Sequence, residues 1–463
     1  MSTSFDAIVI GTGQAGPSLA ARLAGAGWKV AIIERGKFGG TCVNTGCIPT
    51  KAMVASAYAA HMARRGWDFG VKIDGPVSVD MKKVKARKDE ISGRSNKAVE
   101  GWLRGLQNCS VYTGQARFQS STEVVVNDDV LTAPKIFINV GGRATIPDMP
   151  GVHDVSFLTN SSMMSVDFLP RHLVIVGGSY IGLEFGQMFR RFGSQVTIIE
   201  MGSRLIQRED EDISAAIKSI IEAEGINVIL NATCIGMKPD GDGVRATVDC
   251  DHAGPEIAGS HVLLAVGRRP NTDDLGLERA GVITDARGYI KVDDQLQTNI
   301  PGIWALGDCN GKGGFTHTSY NDYEIAAANL LDNDPRRISD RILAYALYID
   351  PPLGRCGMTE AQVLAQSKKT GRPALIGKRE MTRVGRAVEK GETQGFMKIL
   401  VDGDSKQILG AAILGTGGDE AIHCVLDVMY AKAPYTVMQR AVHIHPTVSE
   451  LIPTMLGELK PLS

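Results

Sequence analysis

The sequence predicts an α/β protein built on two copies of one strand–turn–helix–strand unit. Similar sequences occur twice, as FDAIVIGTGQAGPSLAARLAGAGWKVAIIE and as RHLVIVGGSYIGLEFGQMFRRFGSQVTIIE. Each joins two short apolar runs through a glycine turn and a helical pattern, which is typical of βαβ units with parallel strands. The closing glutamates, Glu34 and Glu200, follow the first glycines, Gly11 and Gly177, by 23 residues in both copies. The repeat therefore predicts two Rossmann-like domains in one chain.

The glycine turns indicate that both units bind dinucleotides. In such a unit the first glycine forms a tight turn, the middle one lets the backbone approach the pyrophosphate, and the third allows close helix–strand packing. The helix N-terminus attracts phosphate, and the closing glutamate accepts hydrogen bonds from a ribose diol. One such motif is weak evidence, but two with equal spacing make ordinary βαβ units without nucleotide the less favoured interpretation. The motif residues are Gly11, Gly13, Gly16 and Glu34 in the first copy and Gly177, Gly178, Gly182 and Glu200 in the second, where Ser179 replaces the middle glycine.

Composition and charge exclude several classes of protein. The 463 residues predict two to four domains, and 43% hydrophobic with 22% charged residues is ordinary for a globular protein. The net charge of −1 argues against bulk attraction to nucleic acid or to an anionic membrane. No apolar run is long enough to span a bilayer, and the start MSTSFDAIVIG lacks the features of a signal peptide. We therefore expect a cytoplasmic protein in a reducing compartment, where persistent disulfides are rare.

Two of the eight cysteines form a local pair in the stretch GGTCVNTGCIPTK. Cys42 and Cys47 are structural, metal-binding or redox-active. A metal site is the weaker alternative, because two thiolates supply half a tetrahedral shell and no nearby His or Cys completes it. A helix predicted to begin around Ile48 to Thr50, with Pro49 in its first turn, places Cys47 at a positive helix end that favours the thiolate. The other cysteines occur singly and are predicted to be small apolar core residues: Cys109, Cys234, Cys250, Cys309, Cys356 and Cys424.

The stretch around the cysteine pair resembles the redox-active disulfide motif of the class I pyridine nucleotide-disulfide oxidoreductases. This is the family of lipoamide dehydrogenase, glutathione reductase and mercuric reductase, and the likeness runs nearly end to end. It implies bound FAD and a site for NAD(H), with NADPH as a possible alternative. In the family's motif Cys42 corresponds to the thiol that exchanges with substrate, and Cys47 to the thiol that faces the flavin. The resemblance also places Lys51 near the flavin, paired with Glu184.

Further family motifs extend both cofactor sites. GQARF resembles a short strand near adenine, TNIPGIWALGDC the second flavin motif, and GGFTHTS the backbone that lies against the flavin ring. The FAD contacts that this implies are Gly40, Thr41, Lys51, Ala116, Asp308 and Thr316. The resemblance makes Tyr180 an aromatic gate over the nicotinamide and adds Ile181 and Gly267 to that site. The alternatives are an ordinary turn aspartate for Asp308 and ordinary helix residues for Tyr180 and Glu184.

Near the C-terminus, HIHPTVSELIP resembles the family's acid–base motif. His445, directly before Pro446, is favoured over His443, and Glu450 would orient its ring. In relatives this histidine serves the partner subunit, so the resemblance implies a homodimer whose interface completes the active site. The chain ends GELKPLS, without the terminal cysteine pair of mercuric reductases. Asp350, however, stands where disulfide-reducing members often have histidine, which is a mercuric feature.

The resemblance also divides the chain. We expect an FAD-binding domain at residues 1–150 and 267–341, an NAD(P)-binding domain at 151–266, and a C-terminal α+β dimerisation domain at 342–463. The polar, helical stretch 61–105 is expected to form a long arm of the first domain.

The function that these features predict is an FAD-dependent oxidoreductase like dihydrolipoamide dehydrogenase. It would move two electrons between NAD(P)H and a small disulfide or dithiol through Cys42 and Cys47, with Glu200 favouring NADH. No resident metal, nucleic acid or membrane partner is expected. One alternative is a mercuric reductase-like enzyme that reduces metal ions or oxidants such as Hg(II), Cu(II) or quinones. The other is a redox-sensing or complex-docking subunit without turnover.

Overall fold

The first βαβ unit forms the centre of a parallel sheet. The computed structural model describes residues 2–249 and 255–462. Its first elements are β1 Ser2–Ser4, β2 Ala7–Ile10, α1 Gly16–Gly25, β3 Val30–Glu34, α2 Gly40–Asn44, α3 Cys47–Arg64, α4 Met81–Gly105, β4 Cys109–Thr113, β5 Ala116–Phe118, β6 Glu123–Val126, β7 Asp129–Thr132, β8 Ile136–Ile138 and β9 Gly142–Ala144. Strands β8, β2, β3 and β4 lie side by side in parallel. β2 and β8 are completely buried, as expected for parallel strands covered on both faces.

The polar stretch predicted as an arm is helical, as expected. Helices α3 and α4 have 18 and 25 residues and pack against each other. Asp80 caps α4, because its side chain accepts a hydrogen bond from the backbone N–H of Lys83. The arm is broken between the helices by a short 3₁₀ turn, Gly66–Phe69, and an extended segment.

The second βαβ unit forms another parallel sheet, in the order β12, β11, β10, β16. Its elements are β10 His172–Val176, α5 Tyr180–Phe192, β11 Gln195–Ile199, α6 Glu211–Ala223, β12 Asn227–Ile229, β13 Gly236–Asp240, β14 Gly243–Thr247, β15 Glu256–Gly259, β16 His261–Leu264 and β17 Arg268–Pro270. β13, β14 and β15 form an antiparallel sheet. β17 pairs with β9, so the segments that leave and re-enter the first unit lie side by side.

The returning chain completes the first sheet. It contains α7 Leu277–Ala280, β18 Ile303–Ala305 and α8 Thr316–Ala327. β18 pairs with β8 and gives the five-stranded order β18, β8, β2, β3, β4. α8 therefore begins beside the carboxyl ends of the strands, which is where ligands bind in open α/β sheets.

The C-terminal part is an antiparallel six-stranded sheet with helices. Its elements are β19 Ala344–Leu347, β20 Leu353–Gly357, α9 Glu360–Thr370, β21 Ala374–Glu380, α10 Gly385–Glu389, β22 Phe396–Asp402, β23 Ile408–Leu414, α11 Gly418–Tyr430, α12 Thr436–Arg440, α13 Leu451–Leu456 and β24 Lys460–Pro461. The strand order is β19, β20, β23, β22, β21, β24. Every residue of β22 is buried, so this sheet has a core of its own. The predicted α/β class with a C-terminal α+β part is confirmed.

The isolated cysteines follow the core prediction with one exception. Cys309 and Cys356 are buried, and Cys109 and Cys424 pack against core clusters. Cys234 is disulfide-bonded, so the prediction of a core filler is wrong for this residue, which lies half-buried in a loop instead of in a packed interior. Cys250 lies outside the described residues.

Within the described ranges, no helix combines the length and the apolar character needed to cross a bilayer.

Candidate active site

The two glycine turns have nearly the same geometry. Gly11 and Gly177 adopt φ values of +102° and +112°, which side chains rarely tolerate. A Cβ on Gly11 would lie 2.3 Å from the carbonyl oxygen of Asn139, and one on Gly177 would lie 2.4 Å from that of Ala265. Each turn therefore requires glycine for both its conformation and its close approach to the neighbouring strand end.

The two closing glutamates are also held alike. Glu34 accepts hydrogen bonds from the backbone N–H groups of Thr12 (2.9 Å) and Gly36 (2.8 Å). Glu200 accepts them from Gly178 (2.7 Å) and Gly202 (2.8 Å). Each carboxylate is thus fixed at the end of its second strand, beside a glycine turn. That is the position from which a glutamate can accept hydrogen bonds from a ribose diol.

A cavity of about 730 Å³ extends from the first glycine turn to the second unit. The predicted site residues that line it are Gly11, Gly13, Glu34, Gly40, Thr41, Cys42, Cys47, Lys51, Ala116, Tyr180, Ile181, Glu184, Asp308 and Thr316. The predicted residues that do not line it are Gly16, Gly177, Gly178, Gly182, Glu200, Gly267, His445 and Glu450. The first set contains most of the predicted flavin site and the start of α5. The second set contains Gly16 of the first glycine motif, the rest of the nicotinamide motif and the acid–base pair.

The cavity wall fits the FAD that the sequence predicts. A Cβ on Gly40 would lie 2.8 Å from the Cα of Gly13, so bare backbone from two segments closes the phosphate end of the cavity. Burial raises the pKa of Asp308, and the charge of Arg268, whose Nε lies 3.9 Å from the carboxylate, acts in the opposite direction. Hydroxyl donors such as those of a ribityl chain would stabilise this carboxylate.

The cysteine pair lies at the start of α3. The helix begins at Cys47, just before the predicted window, because the carbonyl of Gly46 already accepts the first intrahelical bond from Thr50. The Sγ of Cys47 lies 3.1 Å from the Oγ1 of Thr316. The hydrogen bond with Cys42 lowers the pKa of Cys47 to about 6, and Thr316 and the charge of Lys51 act in the same direction. The same hydrogen bond, burial and the charge of Cys47 raise the pKa of Cys42.

Lys51 and Glu184 form the ion pair that the sequence predicts. The Nζ of Lys51 lies 2.7 and 2.9 Å from the two carboxylate oxygens of Glu184. Glu184 also accepts a hydrogen bond from the backbone N–H of Tyr348 at 3.0 Å, and Lys51 stands 4.4 Å from the centre of the Tyr348 ring. The pair joins α3 to α5, so it connects the two nucleotide-binding units next to Cys47.

His445 and Glu450 are also paired, but outside the cavity. The Nδ1 of His445 lies 2.9 Å from a Glu450 carboxylate oxygen, and 80% of the histidine side chain is exposed. The neighbouring apolar residues Val442 and Ile444 are also exposed. In contrast, His317 and His423 do line the cavity of the same chain.

Asp350 does not line the cavity. Its carboxylate binds Arg191 at 2.8 Å, and its backbone exchanges two hydrogen bonds with the side chain of Gln187. Asp350 therefore ties α5 to the C-terminal sheet, and its contacts carry no information about the substrate.

Sequence reasoning missed a buried cluster beside Tyr180. Glu209 accepts hydrogen bonds from Tyr345 at 2.5 Å and from Tyr180 at 3.3 Å, and it forms an ion pair with Arg355 at 3.1 Å. In the sequence Glu209 belongs to the acidic run REDED before α6, which is typical of a solvated helix N-terminus. No local signal distinguishes it from such a residue.

Comparison with known proteins agrees with this geometry. The family model "Pyridine nucleotide-disulphide oxidoreductase" matches residues 5–326, and the model of its dimerisation domain matches residues 343–456. The chain belongs to the pyridine nucleotide-disulphide oxidoreductase family. As in other members, FAD and NAD(P)H are its cofactors, and the C-terminal sheet is its dimerisation domain.

Relatives in this family have several activities. The "Probable pyridine nucleotide-disulfide oxidoreductase RclA" of Escherichia coli is 35% identical over 98% of this chain and 99% of its own. A mercuric reductase of Streptomyces lividans is 32% identical over 97% and 95%, and a dihydrolipoyl dehydrogenase of Chlamydia trachomatis is 31% identical over 97% and 96%. The structure of a Cu(II) complex of the HOCl-induced flavoprotein disulfide reductase RclA superposes with a TM-score of 0.88 at 34% identity, covering 97% of this chain and 99% of the other.

Proposed function

We propose that this oxidoreductase uses NADH to reduce a small disulfide through the Cys42–Cys47 pair, in a homodimer. The arrangement of Cys47, Thr316 and the Lys51–Glu184 pair at one end of the cavity carries the proposal. Thr316 and the charge of Lys51 stabilise the thiolate of Cys47 where the two nucleotide-binding units meet. When bound, FAD supplies the two-electron carrier between the nicotinamide and the cysteine pair.

The two cysteines have different roles in the thiol step. Cys42 loses its proton and its sulfur attacks the substrate disulfide, so that a Cys42–substrate disulfide forms and one substrate thiolate leaves. Cys47 then attacks the sulfur of Cys42, which releases the second substrate thiolate and forms the Cys42–Cys47 disulfide. Because the pKa of Cys42 is raised, this sequence requires a base.

His445 of the partner subunit is the proposed base and acid. It takes the proton of Cys42 and returns it to the departing substrate sulfur, while Glu450 holds its Nδ1. Its exposure beside Val442 and Ile444 supports a role outside its own chain, because apolar side chains on such a projection gain by packing against another subunit.

A metal-ion reductase is the second candidate. The mercuric reductase relative and the Cu(II) complex of RclA favour it, and the Cys47 thiolate is a soft ligand for such ions as substrates. Within the described residues, one acidic group could hold an ion: Asp210, Asp212 and Glu360. None of the three lines the cavity, and each forms an ion pair with the buried Lys398.

A substrate panel tests both candidates. FAD-loaded enzyme is given NADH with lipoamide, glutathione disulfide, Hg(II), Cu(II) or a quinone, and NADH oxidation is followed at 340 nm. We expect the highest kcat/KM with a disulfide, and we expect Cys42→Ser to abolish that activity. Turnover of metal ions with no turnover of any disulfide would instead establish the second candidate.

A further inference from the structure

The buried cluster around Glu209 contacts Tyr180. Tyr180 is the first residue of α5, and Glu184 lies one turn further along the same helix. A nicotinamide that extends from the glycine turn to the Lys51–Glu184 pair must therefore pass the phenol ring. The resting position of that ring decides whether the site is open.

Aromatic and cationic groups surround the ring of Tyr180. Phe315 and Tyr345 pack edge-to-face against it, with ring centres at 6.2 and 5.7 Å. The guanidinium of Arg208 lies 5.1 Å from the ring centre. Phe315 and Tyr345 are themselves stacked at 5.5 Å, so the phenol fills a preformed cage.

The carboxylate of Glu209 fixes the hydroxyl end of the ring. One oxygen of Glu209 accepts hydrogen bonds from both Tyr180 and Tyr345, while the other faces Arg355. The side chains of Glu209 and Arg355 are 0% and 2% exposed. A carboxylate that is buried and paired in this way cannot follow a moving phenol, so it can only hold the ring or release it.

The acceptor is held by the dimerisation domain and not by α5. Arg355 lies on β20, and it also binds Asp210 at 2.8 Å and the carbonyl of Met358 at 3.0 Å. Asp210 in turn binds the buried Lys398 of β22 at 2.9 Å. The anchor for the Tyr180 hydroxyl therefore stays in place when the side chain of Tyr180 rotates.

We propose that Glu209 is a latch that holds Tyr180 closed over the nicotinamide site, so that coenzyme binding must break the Tyr180–Glu209 hydrogen bond. The inference depends on the proposed function, because it takes the pocket at Tyr180 as the nicotinamide site. Glu209 is thus a positioning residue that lowers the apparent affinity for the coenzyme. If the open state is a minor one, the apparent dissociation constant equals the intrinsic constant divided by the open fraction.

The test measures NAD⁺ binding to FAD-loaded enzyme by calorimetry. Tyr180→Phe removes the latched hydroxyl and keeps the ring in its cage, so NAD⁺ should bind about three- to tenfold more tightly. Glu209→Gln alone should also tighten NAD⁺ binding. When it is combined with Tyr180→Phe, it should tighten binding by less than about twofold beyond Tyr180→Phe alone. Tyr345→Phe is the control, since it leaves the Tyr180 hydroxyl and its acceptor intact and should not tighten binding.

Three results would overturn the latch. The first is that NAD⁺ binds Tyr180→Phe no more tightly than the wild type. The second is that the effects of Tyr180→Phe and Glu209→Gln multiply, and the third is that Tyr345→Phe tightens binding equally. If Glu209 had only a structural role, Glu209→Gln would lower Tm, and it would change the affinity for NAD⁺ by the same factor in the wild type and in Tyr180→Phe. Failure of NADH to reduce the wild-type flavin would overturn the proposed function together with the latch, whereas unchanged binding in an active enzyme would overturn the latch alone.

Discussion

Coenzyme selectivity should depend on the charge of Glu200. Two backbone N–H groups hold its carboxylate at 2.7 and 2.8 Å, so it cannot rotate away from a ribose without losing both hydrogen bonds. A 2′-phosphate would therefore meet a fixed negative charge. At 4 Å two unit charges repel by about 1 kcal/mol in water and about 4 kcal/mol at the effective dielectric near a protein surface.

The repulsion of about 1 kcal/mol in water nearly accounts for a tenfold preference for NADH over NADPH. We expect kcat/KM for NADH to exceed that for NADPH at least about tenfold, which corresponds to roughly 1.4 kcal/mol. Arg204 and Arg208 are nearby cations that would moderate the repulsion. Glu200→Gln removes the charge and retains an acceptor, so the ratio should fall by about tenfold.

Steady-state kinetics with both coenzymes on FAD-loaded enzyme measures this ratio. The matched control is Glu34→Gln, the equivalent substitution in the other unit, where two backbone N–H groups hold the carboxylate in the same way. It should weaken retention of FAD and leave the ratio of the two coenzymes unaltered. Equal use of NADH and NADPH by the wild type, or an unchanged ratio in Glu200→Gln, would refute the reasoning.

The remaining predictions concern the thiol step. Reduced enzyme should show a long-wavelength absorbance band, and Cys47→Ser should abolish it. Cys42→Ser should show the same band without reduction. Full disulfide reductase activity in Cys42→Ser would contradict the roles assigned to the two cysteines. The thiolate of Cys47 exists above its pKa of about 6, so the band should be strong at pH 7.5 and decline as the pH is titrated down through about 6. His445→Gln should leave flavin reduction by NADH nearly intact and slow the thiol–substrate reaction about 10²- to 10⁴-fold in stopped-flow measurements, whereas His443→Gln should have little effect. Dimers that combine one Cys42→Ser subunit with one His445→Gln subunit should regain activity. If purified mixed dimers are inactive, the histidine does not act across the interface.

Local patterns predicted most of the fold, whereas most of the cavity wall was predicted only through resemblance to a family. Hydrophobic periodicity and glycine turns extend over short stretches of chain, so both βαβ units could be predicted from the sequence. The contact between His445 and Glu450 was within reach as well, because only five residues separate them. The Lys51–Glu184 pair spans 133 residues and was predicted only through resemblance to a family.

Contacts between distant segments were missed because they leave no periodic signal. The hydrogen bond between Tyr345 and Glu209 spans 136 residues, and each residue alone resembles an ordinary strand tyrosine or an ordinary acidic residue before a helix. The contact between Asp350 and Arg191 spans 159 residues and was missed for the same reason.

The Lys51–Glu184 ion pair constrains how the protein can move. It crosses between the two nucleotide-binding units beside Cys47, and the side chain of Glu184 is only 9% exposed. Opening the units like a hinge would separate a largely buried carboxylate from its cation, which is costly. Entry of the coenzyme therefore has to be accommodated by rotating side chains within a fixed framework. Catalysis in this framework would proceed without the large domain closures that many two-domain enzymes need, and its turnover should be nearly insensitive to solvent viscosity.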